Sequence, residues 1–179
     1  VRTVVLYETW KGHTEKIADK IGDVLREKGH EVDVLRLRSL KGGKVDSSYD
    51  AWVVGTPVRM GRVHGKVRSF MENNRDRLRE KKTALFVVCL AKNSGKSEGR
   101  EETEKYLQSM RDGLGRNPDQ ESAFGGSLPF TKYNPLMKFM MKKIVESNEG
   151  NIDTSKDQDY TKWDDVQSFA EGFAERLKD

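Results

Sequence analysis

The feature that most constrains this chain is its start. Thr3-Val4-Val5-Leu6-Tyr7 is followed by the polar run Glu8-Thr9-Trp10-Lys11-Gly12-His13-Thr14 and then by a segment of helical period. A short β-branched apolar run reads as a buried strand. Ile17, Ala18, Ile21, Val24 and Leu25 then share one helix face. A strand that passes through a tight loop into a helix presents unpaired backbone N–H groups at the positive end of the helix dipole. That geometry suits a phosphate. The loop lacks the Lys-Ser/Thr ending of a nucleoside-triphosphate loop and the glycine triplet of a dinucleotide fold. It offers hydroxyls at Thr9 and Thr14, a lysine at Lys11, and Gly12 for close backbone approach. Thr14 falls where an N-cap or N1 hydroxyl is expected. A plain turn closed by a capping threonine is the competing explanation.

The rest of the chain alternates in the same way. We expect a helix over 14–28 stopped by Gly29, a strand over 31–37, and a strand over 51–55 halted by Thr56-Pro57. A loop over 58–62 leads to a helix opened by Val63, Val67, Phe70 and Met71, which ends in a charged run over 75–82. The most apolar strand, 83–90, belongs near the sheet centre, and a polar loop (91–100) and a helix (101–114) follow it. A fifth strand (122–128), a helical segment (134–145), a polar loop (148–159) and a final helix (162–177) complete the order. Trp163, Val166, Phe169, Ala170, Phe173, Ala174 and Leu177 stripe that last helix as core packing.

This pattern implies an α/β fold over residues 1–179 as one domain. The expected form is a three-layer sandwich with a five-stranded parallel sheet of order 2-1-3-4-5 and an extra helical segment after strand five. Ligands then bind at the switch point between strands one and three, outside the carboxyl ends of the strands. The loops at that edge are 8–14, 56–62, 91–100 and 129–134.

Composition narrows the partners. The net charge of +4 and pI near 9.1 suit an anionic ligand or surface. Both signs are spread along the chain with no nucleic-acid-binding module, so nucleic acid is not an expected partner. The single cysteine, Cys89, lies in the apolar run 84–90 and reads as a buried structural thiol. It rules out an intrachain disulfide and fits a reducing, cytoplasmic compartment. No apolar stretch approaches the ~18–20 residues of a spanning helix. The chain opens on a strand, so no signal peptide is expected. No residue set is assigned to a metal.

Thr9-Trp10-Lys11-Gly12-His13-Thr14 resembles the phosphate loop of flavodoxins. Gly55-Thr56-Pro57-Val58-Arg59-Met60-Gly61-Arg62-Val63-His64 resembles the third-strand loop of the menaquinone-dependent protoporphyrinogen oxidases, a flavodoxin-fold family. So do Gly150-Asn151-Ile152-Asp153-Thr154 and Tyr160-Thr161-Lys162-Trp163. The resemblance spans nearly the whole chain. It implies FMN, with the phosphate on Thr9, Trp10, Lys11, Gly12, His13 and Thr14. Pro57, Val58, Arg59, Met60 and Gly61 would then lie along the isoalloxazine ring, as would Leu90, Ala91, Lys92 and Asn93. It further implies oxidation of protoporphyrinogen IX to protoporphyrin IX with electrons passed to a quinone. The flavin, not a side chain, carries that chemistry. A flavodoxin-like FMN electron carrier docking on redox proteins is the alternative.

Two features beside the resemblance favour the enzyme. Typical electron-carrier flavodoxins surround the ring with acidic residues and stack an aromatic from the loop after strand four. Here that loop carries Lys92 and Lys96 and no aromatic, and the loop after strand three carries Arg59 and Arg62. Cations beside a flavin raise its potential. The extra helical segment combines Leu136, Met137, Phe139, Met140, Met141, Ile144 and Val145 with Lys132, Lys138, Lys142 and Lys143. A Met-rich basic amphipathic helix is an adaptable surface for an anionic tetrapyrrole or a lipid-embedded quinone, or for peripheral contact with an anionic membrane. Arg62, Lys138, Lys142 and Lys143 are assigned that role, with Arg59 and Lys92 as further propionate partners. Packing of the helix on the sheet, lysines outward, is the alternative. His64 is expected to cap the helix it precedes, with the handling of substrate protons as the alternative.

Overall fold

The computed structural model describes residues 1–178. Strand β1 (Arg2–Tyr7) pairs in parallel on both edges, with β2 (Glu31–Arg36) and β3 (Ala51–Arg59). Between them β1 leads into helix α1 (His13–Glu27). After β3 come a short return strand β4 (Arg62–Val63), helices α2 (Gly65–Asn73) and α3 (Arg75–Arg79), and strand β5 (Lys82–Cys89). Helix α4 (Ser97–Leu114) and strand β6 (Gln120–Gly125) complete the sheet. The long strands run β2-β1-β3-β5-β6, the expected doubly wound order once the short β4 is set aside.

The faces of the sheet explain why its strands read as unbroken apolar runs. Val5, Val53, Phe86 and Phe124 point into one core with α1 and the last helix, α6 (Trp163–Arg176). Val4, Leu6, Trp52, Val54, Leu85 and Val87 point into the other, with α2, α3 and α4. Side chains alternate along a strand, so a strand covered on both faces needs apolar residues at every position. One close approach is specific: a Cβ at Gly55 would fall 1.9 Å from the Phe86 ring, so that ring lies flat over a residue with no side chain.

Strand three runs past the expected stop. Thr56 and Pro57 continue it, Pro57 in register with Val88, and the chain folds back through Met60-Gly61 to pair Val58 with Val63. Met60 (φ 51°) and Gly61 (φ 70°) both adopt the left-handed conformation that a tight two-residue hairpin turn requires. Met-Gly is not an Asn-Gly signal, so the hairpin was not legible in the residues. The Thr56 hydroxyl accepts the His64 backbone N–H at 3.0 Å and secures the return.

The end of strand five also differs from expectation. β6 stops at Gly125, and after Gly126 the chain forms β7 (Ser127–Leu128), paired antiparallel with β8 (Gln158–Asp159). The segment between them carries helix α5 (Pro135–Glu149), longer than expected at its C-terminal end. The Asn134 side chain caps it, accepting the Met137 N–H at 2.8 Å. α5 packs through Val145 and Met141 on a small cluster of its own with Leu128, Phe130, Tyr133, Ile152 and Tyr160. Its cluster is separate from both cores of the sheet, which leaves much of the helix outward. No helix among the described residues is long and apolar enough to cross a membrane.

Candidate functional site

The loop after β1 is held from below by a buried carboxylate that sequence reasoning passed over. Glu8 is fully buried and accepts from the Arg36 Nε (3.1 Å), the Arg38 backbone N–H (2.7 Å) and the Thr9 backbone N–H (3.3 Å). Arg36 also donates to the Thr9 carbonyl at 3.0 Å. The Thr9 hydroxyl then accepts the Gly12 N–H at 2.9 Å, which closes the loop. Gly12 itself is the N-cap of α1, with φ 94°, a conformation that costs glycine little. Thr14 is therefore the second residue of the helix rather than its cap. No described side chain caps this helix start, so its first amides face the loop with the helix dipole behind them. The arrangement fits a phosphate monoester.

Trp10 leaves the loop in the other direction. Its ring lies 4.4 Å from the His64 ring and under the Arg59 guanidinium at 5.0 Å, so the first loop and the β3–β4 hairpin meet there. His64 caps α2 as expected, its Nδ1 accepting the Lys66 N–H at 3.2 Å, while its buried Nε2 has no partner among the described residues. Burial holds this imidazole below its usual pKa against the opposing pull of Glu8. Pro57 is buried in the strand, Val58 half-buried, and Arg59, Met60 and Gly61 are exposed at the hairpin tip, with Met60 91% exposed.

Leu90, Ala91, Lys92 and Asn93 form a single turn of 3-10 helix directly after β5. Leu90 and Lys92 point outward, whereas the Asn93 amide donates to the Tyr160 carbonyl at 2.9 Å. Its Oδ1 is buried with no partner among the described residues. The late segment thus closes over this loop, and it reaches the first loop as well. Lys132 Nζ donates to the Lys11 carbonyl at 3.0 Å, and His13 Nε2 lies 2.6 Å from the Thr161 hydroxyl.

The residues assigned to a substrate or membrane are spread more widely. Arg62 is exposed beside the hairpin turn. Lys138, Lys142 and Lys143 ride on α5 with no described contact to the loops. Lys142 pairs with Glu146 at 3.8 Å, and Lys143 lies 4.7 Å over the Phe139 ring. Leu136, Phe139, Met140 and Ile144 are each about half exposed or more and share the outward face of the helix. An exposed apolar stripe of this size with lysines around it is unusual for a packing helix.

A cavity of about 530 Å³ lies elsewhere, between the turns after β2 and the start of α2, lined by Leu37, Gly43, Lys66 and Phe70 among others. A small one of about 70 Å³ sits behind the first loop, among Lys11, His13, Lys16, Lys132, Asp157 and Asp159. Cys89 is buried, and burial raises its thiol pKa, so it stays protonated and inert. No group of acidic, histidine or cysteine side chains among the described residues could hold a metal ion.

Residues 4–155 match a family model described as the flavodoxin domain. The chain is 29% identical over 175 residues to the protoporphyrinogen IX dehydrogenase (quinone) of Escherichia coli, covering 97% of this chain and 95% of that one. Among solved structures it resembles the rubredoxin oxygen:oxidoreductase of Desulfovibrio gigas, with TM-score 0.62 and 17% identity. That match takes in 99% of this chain and 36% of the longer one. It also resembles oxidised flavodoxin 1 of Bacillus cereus, with TM-score 0.55, 16% identity and coverage of 99% and 98%. The likeness to those two structures speaks for the fold alone.

Proposed function

This chain belongs to the flavodoxin-domain family, and from that premise we propose that it is an FMN-dependent oxidoreductase that oxidises protoporphyrinogen IX and passes the electrons to a quinone. One observation carries the substrate: the correspondence with the Escherichia coli protoporphyrinogen IX dehydrogenase covers 97% of the chain, so it extends beyond the flavodoxin sheet to the segment that carries α5. When bound, the flavin supplies the two-electron acceptor chemistry that no protein side chain provides. The chain supplies binding, orientation and charge.

In this reading Thr9, Trp10, Lys11, Gly12, His13 and Thr14 hold the cofactor phosphate at the uncapped start of α1. Pro57, Val58, Arg59, Met60 and Gly61 would lie along the ring, as would Leu90, Ala91, Lys92 and Asn93. Trp10 already contacts both the Arg59 guanidinium and the His64 ring, which tie it to the β3–β4 hairpin. The exposed stripe of α5 with Lys138, Lys142 and Lys143, together with Arg62, takes the flat apolar body and carboxylates of the substrate. The same stripe suits a peripheral contact with the anionic membrane where a lipid-embedded quinone resides.

The test is an anaerobic assay of FMN-loaded protein with protoporphyrinogen IX and a menaquinone analogue, followed by porphyrin fluorescence. Quinone-dependent fluorescence growth above a flavin-free control is expected. Its absence, with FMN bound, overturns the substrate and leaves the electron-carrier role. Reversing Lys142 and Lys143 to glutamate is expected to weaken porphyrinogen binding or binding to anionic vesicles roughly tenfold or more, at about 1 kcal/mol per lysine near an anionic surface. FMN affinity should not change. Because both positions lie within one helical turn of Glu146, with which Lys142 pairs, the Lys142→Gln/Lys143→Gln variant is the companion that removes the two charges without adding carboxylates beside it. Retention of both binding activities would return α5 to a packing role.

A further inference from the structure

Taking the FMN reading as given, we propose that Thr161, set by Asp159 and Trp163, is a positioning residue for the cofactor phosphate: it fixes His13 as the Nε2-protonated tautomer and so aims Nδ1 into the phosphate loop. The hydrogen bonds leave one assignment. The Thr161 hydroxyl lies 2.7 Å from the Gly125 carbonyl, which can only accept, so the single hydroxyl proton goes there. His13 Nε2, 2.6 Å from the same oxygen, must then be the donor. Asp159 Oδ1, 3.5 Å from Nε2, reinforces the proton on that nitrogen.

The support for Thr161 is itself built. The Asp159 carboxylate accepts the Thr161 N–H at 2.9 Å through one oxygen and the Trp163 indole N–H at 3.0 Å through the other. Burial alone would raise its pKa, yet those donors hold it below the usual range, so it stays charged. Trp163 meets the His13 ring edge-on at 6.1 Å, which limits its rotation. No described residue pairs with Nδ1, and His13 is the first residue of α1. With the Nε2–H spent on Thr161, Nδ1 donates to a phosphate oxygen only when the ring is protonated, so the imidazolium bridges the Thr161 hydroxyl and the phosphate.

The charges facing this ring come from several elements. Lys16 on α1 and Lys11 in the loop are positive, as is Lys132 before α5. Asp157 and Asp159 at β8 are negative. In the absence of ligand, burial holds His13 below its usual pKa, with Asp159 opposing and Lys16 adding to the shift. A phosphate dianion at Nδ1 favours the imidazolium, so the pKa rises on binding. Affinity is then highest at acidic pH and falls as pH rises through the bound-state pKa. The phosphate's own second ionisation, near pKa 6, is common to every variant and cancels in their ratio.

The experiment measures FMN dissociation constants by flavin fluorescence quenching from pH 5.5 to 8.5 for wild type, Thr161→Val, Thr161→Ser and His13→Asn. Ring 15N shifts are recorded for His13 in parallel. Wild type is expected to show the Nε2-protonated tautomer. Thr161→Val should move the neutral ring toward the other tautomer and weaken FMN about tenfold at acidic pH, where the imidazolium bridges Thr161 and the phosphate, and less toward pH 8.5. Thr161→Ser should restore both, and His13→Asn should lose the pH-dependent part. A wild-type ring protonated at Nδ1, or a Thr161→Val loss that is constant with pH and not restored by serine, overturns the proposal. If wild type fails to bind FMN at all, it is the cofactor reading that fails, whatever the tautomer.

Discussion

Glu8→Gln is expected to lower the stability of this protein by about 3 kcal/mol, at the low end of the ~3–5 kcal/mol seen when one side of a buried ion pair is removed. The low end applies because Arg36, the partner, is 31% exposed and can recover some hydration. The Glu8 carboxylate receives three N–H donors from three residues and offers them only acceptors. A glutamine keeps one acceptor oxygen and turns its amide N–H groups toward donors, leaving at least one buried N–H unpaired. A melting point lower by roughly 6–12 °C follows, at ~2–4 °C per kcal/mol for a chain of this size. Thermal and urea unfolding check it. A drop under about 2 °C would show that the loop does not depend on this carboxylate.

Gly125→Ala is expected to be nearly as costly and to reach the cofactor site as well. Gly125 has no unusual backbone angle, so the constraint is space alone. Its Cβ would fall 2.1 Å from Asn93 Oδ1 and 2.3 Å from the Tyr160 carbonyl oxygen. Asn93 could swing away, but Tyr160 is backbone, tied to Gly126 by its N–H at 3.0 Å. Relief means separating β6 from the late segment, at a cost of roughly 1–3 kcal/mol for overpacking and of order 1 kcal/mol for each hydrogen bond lost. The bonds at risk are Asn93 to Tyr160 and Thr161 to Gly125, so FMN binding should weaken at least tenfold as His13 loses its anchor. Gly126→Ala is the control. Its Cβ would meet nothing nearer than 3.4 Å, an ordinary contact, so stability and FMN affinity should stay near wild type. Equal behaviour of the two variants would mean that the late segment is not packed as described.

The contrast between adjacent glycines shows where the residues alone run out. Gly125 and Gly126 look alike in a list of amino acids, and only the approach of Tyr160, 35 positions later, separates them. The same holds for Met60-Gly61, whose turn depends on pairing between Val58 and Val63 rather than on turn-forming residue types. Glu8 stood in plain view at the edge of the phosphate loop. Its meaning required Arg36 and the Arg38 amide, which come from the end of β2 and arrive only through the parallel pairing of β1 with β2. A buried acid beside an expected anion site was the one available signal, since such a charge needs a partner.

The sequence by itself determined the layered architecture, because hydrophobic period is a local property and survives without knowing what it packs against. The runs at Val4–Leu6, Val53–Val54 and Leu85–Val88 could only be two-faced strands, and their alternation with helices left few topologies. It also located the strand–loop–helix start at Thr9–Thr14, since hydroxyls, a glycine and a helix dipole are adjacent in the chain. Tertiary structure alone decided what surrounds that loop: Glu8 and Arg36 beneath it, Trp10 against Arg59 and His64, and His13 against Thr161. Those contacts join residues from about 30 to 148 positions apart. Which donors and charges meet at such distances is set by the packing of the sheet edge and the α5 segment, and no local pattern encodes it.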